Sequence, residues 1–201
     1  TLRRGRGDPT FRLAADGTVW RALRSPVGTA TLAVHPMHDG EIVARAWGDG
    51  AAWALEALPA MLGADDDVEG FVPHHDVVAR LWRRFGHWRL GATGLVMEAL
   101  VPAIIEQKVT GHEAFRGYRL LVTRFGDPAP GPPTDLRVPP THDRLRSIPS
   151  WEWLRMGIDH GRSQPLLRAA EVAPALERVG RRGAAELDRA LRSLRGIGVW
   201  T

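Results

Sequence analysis

The sequence predicts an α+β protein, with a β-rich amino-terminal region over residues 1–70 that carries one helix, followed by a mostly α-helical body over residues 71–201. Two observations lead there. Apolar residues in the first third alternate with period two between Gly, Pro and Asp, whereas from residue 71 onward they recur at helical spacing. A length of 201 residues with 44% hydrophobic and 25% charged side chains is globular composition, enough chain for one or two domains.

Val19 to Leu23, Ala30 to His35 and Ile42 to Trp47 are short alternating runs and read as strands, with His38-Asp39-Gly40 turning the last two into a hairpin. Over residues 49–62 the period changes. Trp53, Leu55, Leu58 and Met61-Leu62 fit one amphipathic helix closed by Gly63, and Asp65-Asp66-Asp67 follows as a solvated turn without the spacing of a calcium loop. His74-His75-Asp76 reads as a capped helix start, since adjacent His side chains diverge on a helix and no third ligand stands at metal spacing. Val77, Val78, Leu81, Trp82 and Phe85 then form one stripe, and Phe115, Tyr118, Leu121, Val122 and Phe125 another.

Between these stripes, Gly94 to Val109 is apolar nearly all round, as suits a core helix, and Pro102 predicts a kink in it. Gly126 to Pro140 holds six of the 15 prolines and reads as a stiff surface loop, with Thr141 capping the next short helix. Helical patterns run through Pro165 to Val179, interrupted at Pro174, and through Ala184 to Leu194, where Leu187, Leu191 and Leu194 share a face.

Charge is divided along the chain. Residues 1–70 hold 7 Arg against 10 Asp and Glu, while residues 71–201 hold 20 Lys and Arg against 13 Asp and Glu. A basic second part fits a polyanion such as nucleic acid, and equally a solvated Arg-rich surface. No apolar run is long enough for a membrane span and the opening residues have no apolar signal core, so no membrane is expected and the protein is placed in the cytoplasm. Cysteine is absent, which excludes disulfides, thiolate metal sites and a Cys nucleophile within these residues.

The chain closes on Leu191-Arg192-Ser193-Leu194-Arg195-Gly196-Ile197-Gly198-Val199-Trp200-Thr201, an amphipathic helix running into a Gly-x-Gly turn. Such a turn serves either as a helix C-cap or, where successive N–H groups begin a new helix, as an anion site for DNA phosphate. These residues resemble the helix-hairpin-helix of the base-excision DNA glycosylase superfamily, whose signature runs Leu-x-x-Leu-Pro-Gly-Ile/Val-Gly-x-x-Thr-Ala; Leu191, Leu194, Gly196, Ile197, Gly198 and Thr201 match it. Upstream, Ala99 to Thr110 resembles the helix and Gln-containing turn that enter the DNA-facing cleft of the DNA-3-methyladenine glycosylase II type.

The resemblance implies that Gly196 and Gly198 donate N–H groups to phosphate, with Arg195 and Ile197 beside them. It also implies that carbonyls from Leu194 to Ile197 hold a monovalent cation. Arg195 departs from the usual Pro, exchanging turn rigidity for a cation. Trp200 stands where bifunctional members carry a Schiff-base Lys; an indole forms no imine, so a monofunctional, hydrolytic glycosylase without organic cofactor is implied.

Lys108 aligns with the residue that wedges into the duplex, and Gln107 is a neighbour able to share that task. The other reading of Lys108 is an exposed Lys at a helix end. A cationic alkylated base would stack in an aromatic pocket, for which Trp200, Trp151 and Trp153 are candidates, core packing being the other reading of the last two.

In the superfamily the catalytic Asp follows the hairpin. No Asp among residues 1–201 matches, so it is expected beyond Thr201, and residues 1–201 are expected to be truncated relative to the natural protein and inactive by themselves. The implied function is excision of an alkylated purine such as 3-methyladenine from double-stranded DNA, by a monomer. The alternative is a non-catalytic helix-hairpin-helix DNA-binding protein.

Overall fold

The computed structural model describes residues 3–37 and 40–201. His38 and Asp39, on which the expected hairpin turn falls, lie outside the described residues, as do Thr1 and Leu2; the flanking Met37 N–H donates to the Glu41 carbonyl at 2.7 Å.

The amino-terminal strands are β1 (Phe11–Leu13), β2 (Val19–Ser25), β3 (Gly28–Pro36) and β4 (Ile42–Trp47), a four-stranded antiparallel meander in sequence order. β1 has too few residues to show alternation in the sequence. The pleat sends Leu23 and Ala30, paired in register, to one face, where they pack with Ala54, Leu95 and Trp53. Trp20 and Ala22 point to the other, and Trp20 stacks on Trp47 with ring centroids 5.5 Å apart.

Residues Gly126 to Pro140 correct the expectation of a surface loop. β5 (Asp127–Pro128) pairs with β6 (Arg137–Val138), and Leu136 and Val138 are buried against Ala22 and Ala129. Alternate positions along a strand share a face, so Leu136 and Val138 cover the sheet while the prolines occupy positions that need no ladder N–H. The helix expected over 49–62 is likewise two pieces, α1 (Ala51–Glu56) and α2 (Leu58–Met61). Pro59 has no N–H for the turn before it, which is why the helix restarts there.

α3 (Asp76–Phe85) begins from the extended backbone of His75 with no side-chain cap, so the expected cap is absent; Asp76 in the first turn faces the positive end of the helix dipole instead. The predicted stripe is present but uncovered, with Val77, Leu81 and Phe85 exposed and no buried residue in the helix.

The main core forms around α4 (Val96–Ile105), whose Ile104 and Ile105 are fully buried, and α5 (Gly111–Phe125). Pro102 lies within α4 as predicted. Leu95 offers α4 no side-chain cap, and Glu177 supplies one from a distance by accepting the Val96 and Met97 N–H groups at 3.0 and 2.9 Å. α5 opens on a complete capping box between Thr110 and Glu113.

α6 (His142–Arg146) is capped by Thr141 as expected, and α7 (Ser150–Arg155) follows it. α8 (His160–Glu171) is capped by Asp159, and α9 (Ala173–Gly180) starts with Pro174 in its first turn, where a missing N–H costs nothing. α10 (Ala184–Arg192) leads into the Gly-x-Gly turn. Arg21 of β2 and Glu98 of α4, both mostly buried, pair at 2.5 Å and fasten the sheet to the helical body. Among the described residues no helix is long and apolar enough to cross a membrane.

Candidate nucleic-acid interface

After α10 the backbone turns through Gly196 at φ +97°, a left-handed conformation that side chains resist. The same residue lies so close to α8 that a Cβ would stand 2.4 Å from Pro165 Cγ. Ile197 is buried in the main core, with Leu191 and Leu194 packed beside it, and Arg168 of α8 donates to the Arg195 carbonyl at 3.1 Å. The hairpin is therefore docked on α8 through its apolar side, with its polar backbone outward.

That outward side carries the chemistry. Among the described residues the N–H groups of Gly196, Val199 and Trp200 have no protein partner, whereas the Gly198 N–H donates to Thr201 Oγ1 at 3.2 Å. Nothing stands within 4 Å of a Cβ built on Gly198, so the backbone there is open to an approaching group. Arg195 is exposed beside it, and Trp200 is 96% exposed. The result is a concentration of N–H donors and a cation next to a free indole face, which suits an anion and a planar ring.

The turn between α4 and α5 reaches this hairpin. Gln107 Nε2 donates to the Gly196 carbonyl and to Thr201 Oγ1, each at 2.9 Å. Lys108, next in sequence, adopts φ +56° and is exposed, with no hydrogen bond or ion pair of its side chain among the described residues. The structure thus places Gln107 and Lys108 beside the hairpin that carries Arg195, Gly196, Ile197, Gly198 and Trp200.

Two supports were not legible. Arg162, buried at the start of α8, donates to the Ile105 carbonyl at 3.1 Å and the Gly157 carbonyl at 2.8 Å, and pairs with Asp159 at 2.9 Å. Its guanidinium thereby satisfies a carbonyl left open at the end of α4 and holds the Asp159 carboxyl below the usual carboxylate range. Arg4 pairs with Glu106 at 3.2 Å from the amino-terminal segment. The Asp159-x-x-Arg162 spacing was the available signal for the first; nothing local announces the second.

The tryptophans separate. Trp153 is 1% exposed within the main core, so its assignment to a base pocket is corrected: a base could reach it only by unpacking α7. Trp151, two residues away, is 60% exposed on the opposite side, as helical geometry requires. A cavity of about 590 Å³ lies at the other end of α4, lined by Leu95, Glu98, Val101, Tyr118, Glu177 and Arg178 among others, and none of the predicted site residues borders it. Burial there pushes the Tyr118 hydroxyl well above the usual phenol range, which keeps it protonated.

Three carboxylates of the helical body are already engaged: Glu98 pairs with Arg21, Glu113 closes the α5 cap, and Asp188 pairs with Arg192 at 2.8 Å. Among the described residues no cluster of His, Asp and Glu could hold a metal.

No family model matches this chain, and no curated protein does. Solved structures do. A 3-methyladenine DNA glycosylase from Archaeoglobus fulgidus superposes with a TM-score of 0.78 at 20% identity, over 96% of this chain and 68% of that one. MBOgg1 in complex with a low-affinity DNA ligand gives 0.71 at 14% identity, over 98% and 68%. An 8-oxoguanine glycosylase/lyase from Clostridium acetobutylicum in complex with double-stranded DNA gives 0.66 at 12% identity, over 96% and 66%. The chain has the fold of these helix-hairpin-helix DNA glycosylases and spans about two thirds of their length.

Proposed function

We propose that the protein is a monofunctional DNA glycosylase that flips a damaged base out of duplex DNA and hydrolyses its N-glycosidic bond, with an alkylated purine such as 3-methyladenine as substrate. The observation that carries this reading is the exposed indole of Trp200 set among the open N–H groups of the hairpin, on a fold otherwise found in DNA glycosylases. The hairpin N–H groups and Arg195 bind a phosphate, and Lys108 enters the gap left by the flipped nucleotide. A cationic base then stacks against Trp200, gaining attraction that a neutral base lacks. Trp151 stands apart from that pocket.

Hydrolysis forms a bond from water oxygen to the sugar C1′ as the C1′–N bond breaks, the cationic base leaving neutral with the bonding pair; a carboxylate would take the proton that water loses and steady the sugar cation. Asp159 and Asp188 are engaged with Arg162 and Arg192, so neither stands free for that role. Of the carbonyls offered to a monovalent cation, the Leu194 oxygen already accepts the Ile197 N–H at 3.0 Å, while the Ile197 oxygen has no donor among the described residues; an ion shared by the two would brace the turn.

The test is to incubate the natural protein with alkylated duplex. Free 3-methyladenine without strand scission supports the proposal. Scission by β-elimination contradicts the monofunctional reading, and duplex binding with no base released favours the second reading, a non-catalytic DNA-binding protein, which the absence of an unengaged carboxylate beside the hairpin among the described residues supports.

A further inference from the structure

We infer that Gln107 is a positioning residue, fixing the register between the phosphate-binding hairpin and the wedge Lys108 rather than touching DNA itself. The inference rests on the proposed DNA reading and deepens it. Gln107 has two N–H donors on its amide, and both neighbours it reaches belong to the hairpin: the Gly196 carbonyl and Thr201 Oγ1, at 2.9 Å each. Thr201 Oγ1 also accepts the Gly198 N–H, so one side chain from the α4–α5 turn grips both ends of the Gly-Ile-Gly segment, 89 and 94 residues away in sequence.

The turn is held from its other side as well. Glu106 is paired to Arg4, and Arg162 grips the Ile105 carbonyl. Of Glu106, Gln107 and Lys108, which follow α4, the first two are thus engaged, and the Lys108 side chain extends without a partner among the described residues. Its φ of +56° is uncommon for a residue with a side chain and persists where surroundings over-determine it. Gln107 is the link that makes the position of Lys108 depend on the position of the hairpin.

A duplex with no flipped base needs only the hairpin, which grips a phosphate wherever the wedge lies. A duplex carrying a flipped-out abasic analogue needs the hairpin on its phosphate and Lys108 in the gap at once. Gln107→Met keeps the length of the side chain without charge and removes both donated bonds, so it should lower affinity for a tetrahydrofuran-containing duplex about tenfold, in keeping with two ordinary net hydrogen bonds. Affinity for the undamaged duplex should stay within about twofold, while the thermal midpoint falls by a few degrees because both bonds are present in the free protein.

Fluorescence anisotropy with both duplexes, on wild type, Gln107→Met, Lys108→Ala and the double variant, tests this. The proposal expects Lys108→Ala to remove the same preference and the double variant to lose nothing more, because Gln107 acts through Lys108. Additive losses would mean that Gln107 contacts DNA on its own, and equal losses on both duplexes would mean a purely structural bond; either overturns the inference. A wild-type protein that binds neither duplex overturns the DNA reading itself, whereas a wild type that prefers the abasic duplex with Gln107→Met unchanged overturns the positioning role alone.

Discussion

Gly196 and Gly198 look equivalent in sequence, and substituting alanine at each should separate folding from binding. At Gly196, a φ of +97° makes a side chain pay about 1–2 kcal/mol of left-handed strain. Its Cβ would also stand 2.4 Å from Pro165 Cγ and 3.1 Å from Pro165 Cβ, an overpacking that costs about 1–3 kcal/mol because a proline ring on α8 cannot swing aside. Gly196→Ala should therefore lose about 3 kcal/mol, and for a chain of this size lower the thermal midpoint by about 6–12 °C.

Gly198 has a negative or extended φ and open space around it, so Gly198→Ala should change stability by less than about 0.5 kcal/mol. Its methyl group would occupy the path of the phosphate, and loss of one hydrogen bond to a charged group should weaken duplex binding at least about tenfold. Urea denaturation and duplex anisotropy at one fixed salt concentration measure the two effects. Equal stability losses at the two glycines would refute the packing argument, and wild-type binding by Gly198→Ala would refute the open-face argument.

Trp153→Ala should cost about 3–5 kcal/mol from the core, whereas Trp151→Ala should be nearly neutral, and denaturation of the pair decides whether α7 is oriented as described. Thr110→Ala removes the acceptor of the α5 capping box and should cost about 1 kcal/mol, read as a shifted denaturation midpoint with unchanged slope. The Asp159 carboxyl is held below its ordinary value by the hydrogen bond from Arg162, so its contribution is complete at neutral pH and is lost as pH falls below the ordinary Asp range toward the lowered folded value. Asp159→Asn should flatten that part of the acid limb in a plot of midpoint against pH, and an unchanged limb would remove Arg162 as the cause.

Where the sequence was legible, a period or a chemical type carried the signal. Three of the four sheet strands, the core helix and the hairpin follow from alternation, from an apolar run and from two glycines after an amphipathic helix. Where it was not, the deciding fact was remote. Proline density concealed the Leu136-x-Val138 pair, whose burial depends on Trp20 and Ala22 lying opposite. Trp151 and Trp153 are the same residue type on one helix, and only the orientation of α7 makes one core and the other surface.

The site divides along the same line. Residue types identified which groups gather at the hairpin, since glycine, arginine and tryptophan carry their chemistry with them. The relation between those groups was invisible, because it runs through Gln107 to residues about ninety positions away and through Arg162 to a backbone carbonyl. α3 makes the complementary point. Its stripe of Val77, Leu81 and Phe85 was correctly read as one apolar face, yet periodicity reports only that a face is suited to burial and is silent on what buries it. Amphipathicity is a property of one element, whereas covering and positioning are properties of two. That is why residue types suffice to name the groups near the hairpin, while the bonds from Gln107 that join its turn to the hairpin depend on how both segments pack.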